Sequence, residues 1–488
     1  MNDQNTQDYY ADNPVARWLA LTSICLATFI NAMQNSSINI AIPKIVADLH
    51  ADAILVSWIP TAFLLTSVVL LLPSGRLADI HGRKRIYLSG IVLLGIASAL
   101  AVPAQRIEWL LFTRLLQGIG AAMTFATGLA LVMSLFTSTN RGIALGLASA
   151  SLYIGLACGP LIGGWLTESY GWRSVFMFPV PLLVISFTLI STRIKGDWKG
   201  DQQQKVDWFG SLIFAIWSTS LFVGVSSLPG LEGIILIMTG VFALIGFIYQ
   251  QANSKYPLIR FKRILNNQVF SHSLVASACI YASNYPLIFL FSLYLQYIQD
   301  LSPVRAGQIM VLQAVTMAIL APISGRLSDK YEPRVIATTG CLIMFCAFAI
   351  LQGSDANTSL YLIAGALITL GFGFGLFSTP NNNAALSSID KSRLSIGSAL
   401  LNLARVSGNM LGTAIVLVLV SIFIGDEKIE PARYGALLTV IHWALALSCL
   451  NTIFGASVIR STGTSWKLLC LTAPSSMVTG SCIAPLRP

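Results

Sequence analysis

Apolar runs of about 20 residues return from one end of this chain to the other, and no other sequence feature constrains its fold as strongly. A run of that length, coiled as a helix, matches the hydrocarbon thickness of a bilayer. In that layer each backbone N–H and C=O must be satisfied without water, which a helix does within its own segment. Spans are expected near residues 17–36, 54–74, 86–103, 108–136, 143–167, 174–192, 208–227 and 233–251. Six more follow near 268–297, 305–325, 335–352, 359–380, 395–424 and 435–458. The expected fold class is an all-α integral membrane protein with about fourteen transmembrane helices.

Composition agrees. Of 488 residues, 55% are hydrophobic and 10% charged, with a mean hydropathy of +0.73. Soluble domains carry about 25% charged residues, so an ordinary soluble enzyme and a disordered chain are excluded. The net charge of +10 does not point to nucleic acid. Most Lys and Arg fall in alternate loops, and only Lys44, Arg106, Arg173, Arg305, Lys428 and Arg433 fall on the other side. By the positive-inside rule the basic loops are cytoplasmic, where they meet anionic lipid. Both termini are then expected inside a bacterial-type inner membrane. The acidic start of the chain lacks the basic n-region of a cleavable leader, so the first span is expected to stay. The eight cysteines form neither a CxxC pair nor a metal-ligand spacing, and no metal or cofactor is expected.

One internal repeat is visible. Gly75-Arg76-Leu77-Ala78-Asp79 returns as Gly325-Arg326-Leu327-Ser328-Asp329, each copy at the inner end of a span. Duplicated membrane halves with the substrate between them mark alternating-access transporters. The expected organisation is a tail (1–16), a six-helix bundle (17–192), a polar surface linker (193–207), two inserted helices (208–251), a second linker (252–267), a second six-helix bundle (268–458) and a loose tail (459–488). Such a chain holds both halves and is expected to work as a monomer in lipid.

Several segments carry chemistry beyond hydropathy. In the first loop, Asp79 ends one helix and Arg83, Lys84 and Arg85 begin the next, so the acid can meet an arginine or a helix N-terminus. That arrangement reads as a latch broken on cycling, with Gly75, Gly82, Gly325 and Asp329 as its other parts. Gly155, Gly159, Gly163 and Gly164 lie at helical spacing and give a face for close packing, while Pro160 permits a bend. That surface is expected to seal the outer gate. Arg114 and Arg405 fall within spans, where charge is costly, so both are expected to face a cavity or a partner.

These segments resemble the major facilitator superfamily, specifically its fourteen-helix drug:proton antiporter family. Gly75-x-Leu77-Ala78-Asp79-x-x-Gly82-Arg83-Lys84-Arg85 is similar to the loop between helices 2 and 3. Arg114-x-x-Gln117-Gly118-x-Gly120 is similar to the helix 4 motif, and Gly155-x-x-x-Gly159-Pro160-x-x-Gly163-Gly164 to the helix 5 motif of antiporters. Trp172-Arg173 opening the sixth span, Ser302-Pro303 and Gly397-x-Ala399-x-x-Asn402-x-x-Arg405 also match, so the likeness runs over about residues 17–458. It implies efflux of amphipathic drugs or related small molecules in exchange for protons.

One departure changes the expected chemistry. Where the family commonly carries a proton-binding aspartate in helix 1, this chain has Gln34 beside Asn35. The remaining candidates for a proton site are His272, His442, Glu108 and Glu168, none of them a clear midplane carboxylate. A pocket of Gln34, Asn35, Arg114, Gln117, Asn402 and Arg405 favours an anion or zwitterion over a lipophilic cation. The alternative expectation is therefore an exporter or facilitator of one anionic metabolite or siderophore, weakly coupled or uncoupled. An enzyme is not expected, because no cluster of acids, histidines or cysteines stands at one interface. A non-transporting sensor is not expected either, since no soluble output domain is present.

Overall fold

The computed structural model describes residues 13–50, 53–136, 140–200, 205–227, 230–424 and 434–461. Among the described residues, fourteen helices are long and apolar enough to cross a membrane. They are α1 (Pro14–Leu49), α2 (Ala53–His81), α3 (Arg83–Ala101), α4 (Ile107–Leu135), α5 (Arg141–Tyr170), α6 (Arg173–Arg193) and α7 (Trp208–Ser226). Then come α8 (Leu231–Asn253), α9 (Gln268–Leu293), α10 (Pro303–Lys330), α11 (Pro333–Gln352), α12 (Leu360–Ser387), α13 (Leu394–Phe423) and α14 (Tyr434–Ser461). Both expected tails fall almost wholly outside the described residues.

Polar caps mark several helix starts: Asp207 accepts the Gly210 N–H at 2.8 Å, and Asn267 accepts that of Phe270 at 3.0 Å. The first helix is longer than expected. It runs through Pro43 to Leu49, because the apolar residues Ile38, Ala41 and Ile45 continue its buried face beyond the polar stretch at 34–37.

The two halves repeat one packing plan. In the first, α1 packs on α5 and α6, while α4 packs on α2 and α3. In the second, α9 packs on α13 and α14, while α12 packs on α10 and α11. Two close crossings are made by glycines in equivalent places. A Cβ on Gly90 would lie 2.8 Å from the Gly120 carbonyl oxygen, and one on Gly340 would lie 2.5 Å from that of Gly373. Without a hydrophobic drive between helices in lipid, such backbone approaches supply the packing.

Two seams join the halves, α5 against α10 and α2 against α13, and they are equivalent under the repeat. The inserted helices α7 and α8 pack on each other, and α7 also touches α2 and α13, so the pair flanks that second seam. The linker differs from expectation. Residues Ile194 and Trp198 are buried, Trp198 to 4% exposure, and 194–200 is packed under the α2–α3 turn instead of lying on the surface. A tryptophan in a polar stretch has too much apolar area to leave in water.

Candidate functional site

Between the halves, α1, α4 and α5 face α9, α12 and α13 across a cavity of about 70 Å³. Its polar lining includes Tyr153, Tyr281, Asn382, Asn402 and Arg405, with Phe125 beside them. Arg405 puts its guanidinium carbon 5.6 Å from the centre of the Phe125 ring, a cation–π contact across the two halves. Asn402 donates to the carbonyl oxygens of Phe125 at 3.1 Å and Ser398 at 3.0 Å. Tyr153 donates to Ser378 Oγ at 2.9 Å, and both Tyr153 and Tyr281 make edge-to-face contacts with Phe374. Small-molecule sites usually measure a few hundred Å³, so this conformation is contracted around the cavity. Among the described residues that line it, Arg405 alone is charged.

Arg114 lies elsewhere, which differs from its expected place on the cavity. It is fully buried within the first half, where its Nε donates to the Ile59 carbonyl at 2.9 Å and its Nη1 to Gln117 Oε1 at 2.7 Å. Its guanidinium carbon stands 4.5 Å from the Phe63 ring centre, and its Nη2 has no hydrogen-bond partner. Gln117 Nε2 and Gln34 Nε2 both donate to Ser98 Oγ, at 3.0 and 2.9 Å. Four helices thus share one buried network of a guanidinium, two amides and a hydroxyl. Asn35 is half-buried, with its Oδ1 unpartnered. The cavity residue Thr124 is ten positions further along α4, about 15 Å at 1.5 Å per residue.

The hydrogen bonds that join the halves cluster at the end of the bundle that carries the basic loops. Asp79, buried at the end of α2, accepts the N–H groups of Ser395 and Ile396 at 3.2 Å each, in the first turn of α13. Arg83 Nη2 pairs with the same carboxylate at 3.3 Å and donates to the Lys391 carbonyl. At the other seam Asp329 accepts the Gly142 and Ile143 N–H groups at 2.7 and 3.2 Å, in the first turn of α5. Carboxylates here satisfy orphan donors and complement the positive helix end. Gly75 lies against the Ser395 carbonyl, and Gly325 against that of Gly142, too close in both cases for a side chain.

The linker completes this closure. Arg83 N–H donates to the Trp198 carbonyl at 3.0 Å, and Gly200 N–H to that of Asp79 at 2.6 Å. Asp197 accepts the Lys84 N–H at 2.9 Å and stands 3.6 Å from Arg85 Nε. Lys84 Nζ donates to the Ser191 carbonyl at 3.1 Å. Gly82 adopts φ +115°, and any Cβ there would overlap the Asp197 carboxylate. Burial raises the Asp197 pKa above the ordinary 3.8, against the N–H donors of Lys84 and Arg85.

The fifth-span glycines are divided from this seam. Gly142, Gly146 and Tyr153 of α5 face the second half, whereas Gly155, Gly159 and Gly163 pack on α1 at Phe29, Ser36 and Ser37. Ser37 Oγ donates to the Gly159 carbonyl at 2.7 Å. Gly164 only brushes Ile40, and Pro160 is exposed. The glycine face therefore lies within the first half and not between the halves. Glu108 and Glu168 are exposed at the end opposite the basic loops. His442 Nε2 sits 2.9 Å from the Ser354 carbonyl oxygen, and His272 shares a small pocket with Arg334 and Asn381 at the basic end. None of these four lines the central cavity.

Comparison with known proteins fits this architecture. The family model for the Major Facilitator Superfamily matches residues 24–413. The riboflavin transporter RibZ of Clostridioides difficile is 30% identical over 82% of this chain and 87% of its own length. The multidrug transporter MdtP of Bacillus subtilis is 27% identical over 87% and 77%. The multidrug efflux pump LfrA of Mycolicibacterium smegmatis is 26% identical over 86% and 84%. The crystal structure of the human organic anion transporter MFSD10 superposes with a TM-score of 0.64 at 12% identity, covering 90% of this chain and 99% of that one. With the repeated six-helix halves, the central cavity and these relatives in view, the chain belongs to the Major Facilitator Superfamily, on its drug:proton antiporter-like side, as a multi-pass secondary transporter of small molecules.

Proposed function

We propose that this transporter exports an amphipathic aromatic compound, neutral or anionic, from the cytoplasm by alternating access through the central cavity. The carrying observation is Arg405 over Phe125, the charged group on a cavity wall that otherwise offers phenols, amides and hydroxyls. Such a wall matches a flat ring system bearing hydrogen-bonding groups, and the riboflavin transporter among the relatives supports that chemistry. The basic end is cytoplasmic by the distribution of Lys and Arg. Closure there by Asp79 and Asp329 then leaves the substrate's outward step as the next to occur, with the seams parting later in the cycle. One chain in the inner membrane contains the complete path and acts as a monomer.

Binding tests this reading. Purified protein should bind naphthalene-2-sulfonate, a permanent aromatic anion, and riboflavin, but not 1-methylquinolinium, a cation of the same ring size. Arg405→Gln should weaken the sulfonate about tenfold or more and riboflavin much less. Tight binding of the cation, unchanged in Arg405→Gln, would sink it.

A second reading is proton-driven efflux of lipophilic cations. The multidrug relatives favour it, as does a methyl viologen resistance protein of Salmonella typhimurium at 29% identity. Under that reading protons move through Glu108, Glu168, His272 or His442, and each would have to reach the cavity in another conformation.

A further inference from the structure

We infer that this carrier is electrogenic: it moves a net negative charge outward, driven by the membrane potential, with no proton in exchange. The inference rests on the anionic reading of the cavity given above and adds its energy source.

A proton carrier needs a group that takes a proton on one side and releases it on the other. The cavity wall offers Arg405 and the phenols of Tyr153 and Tyr281. The buried network of the first half offers Arg114, Gln117, Ser98 and Gln34. None of these side-chain types ordinarily changes protonation between pH 5 and 8. The carboxylates that join the halves do titrate, but both sit at one end of the bundle. Asp79 faces Arg83, Ser395 and Ile396, and Asp329 faces Arg141, Gly142 and Ile143. Released from these partners they return to water at the same end, so neither can ferry a proton across. Asp48, Glu108, Glu168 and, beside the Ser354 carbonyl, His442 are confined in the same way to the opposite end, and His272, in its pocket with Arg334, to the basic end.

The charge balance then falls on the substrate. Among the described residues no carboxylate pairs with Arg405, so the empty cavity carries a positive charge and a bound monoanion neutralises it. When the anion leaves on the outer side, one negative charge has crossed. A potential negative on the cytoplasmic side favours the completed cycle, by drawing the positively charged empty site back, with about a fifty-fold concentration ratio per charge at 100 mV. The substitution of a neutral amide at Gln34 and the lone guanidinium on the cavity thus belong to one design.

Liposomes holding the full chain test this. They are loaded with naphthalene-2-sulfonate and a pH dye, with equal pH across the membrane and a potential set by a potassium gradient and valinomycin. A negative interior should drive sulfonate out, toward roughly that fifty-fold ratio at 100 mV, and reversal should halt it. The dye should stay constant, and a pH gradient at zero potential should do nothing. His272→Gln and Glu108→Gln should leave the flux unchanged, while Gln34→Asp should make it pH-dependent. Sulfonate flux that follows the pH gradient at zero potential overturns the inference and leaves the substrate reading standing. So does Arg405-dependent sulfonate binding without flux under either gradient. Binding and movement of 1-methylquinolinium in place of the sulfonate removes both readings.

Discussion

Asp79 and Asp329 hold reciprocal positions: each carboxylate, at the end of one half's second helix, accepts two successive backbone N–H groups in the first turn of a helix of the other half. Hydrogen bonds to a charged group are worth about 1.5–3 kcal/mol each, so the pair contributes a large share of closure at the basic end. Because each half moves as a packed body, loosening one seam should loosen the other. Asp79→Asn or Asp329→Asn should speed amide exchange about tenfold at Ser395 and Ile396 and also at Gly142 and Ile143. Hydrogen exchange with residue-level resolution checks this. Acceleration confined to the mutated seam would show that the seams open independently.

Gly82 has no freedom to accept a side chain. At φ +115° an alanine is strained, and its Cβ would meet the Asp197 carboxylate. Gly82→Ala should therefore destabilise by about 1–3 kcal/mol, read as a lowered Tm in detergent and as faster proteolysis after Lys195 and Lys199.

Two acids that flank the linker should respond to pH with opposite sign. Burial raises the Asp197 pKa above the ordinary 3.8, so its folded form prefers the proton. The stability it contributes is present at low pH and is lost as pH rises through the raised folded value. For Asp207 burial pulls upward too, but the Gly210 N–H and the side chains of Gln250, Gln251 and Ser254 outweigh it and lower the pKa. Its contribution is present above the ordinary 3.8 and is lost as pH falls through the lower folded value. The Tm difference between the parent and Asp197→Asn should shrink with rising pH, and that for Asp207→Asn should shrink on acidification. Parallel slopes for both variants would refute the assignment.

Arg114 should matter to folding before it matters to substrate. Its removal takes a hydrogen bond from the Ile59 carbonyl, which lies inside α2, and leaves Gln117 Oε1 without a donor in a dry interior. Arg114→Ala should cost about 1–3 kcal/mol, whereas Arg114→Met keeps volume and should cost less. Thermal unfolding of both, with sulfonate binding measured on whatever folds, separates the two roles. Equal Tm for all three proteins would mean that the network is not a structural element.

Hydropathy made the spans legible because lipid imposes one length and one backbone solution. The repeat was legible through five residues, since Asp79 and Asp329 need the same neighbours to end a helix tightly. What hydropathy could not give was direction around each helix. Arg114 and Arg405 look alike in the sequence, yet one is turned into α2 by the Ile59 carbonyl and the other toward the cavity over Phe125. Tyr153 and Phe125 went unmarked because an aromatic residue inside an apolar run reads the same whether it faces lipid, core or cavity. Tyr281 lines the cavity, whereas Phe289, on the same helix, is 54% exposed. Trp198 did carry a signal, a large apolar side chain in a polar stretch, and that signal was outweighed by its neighbours.

The placement of α7 and α8 gives the transporter a front and a back. A wall of two extra helices stands beside the α2–α13 seam, while the two-fold-related α5–α10 seam has no counterpart in the insert. A compound dissolved in the bilayer thus meets two different flanks, one screened and one bare, although the halves behind them are built to the same plan.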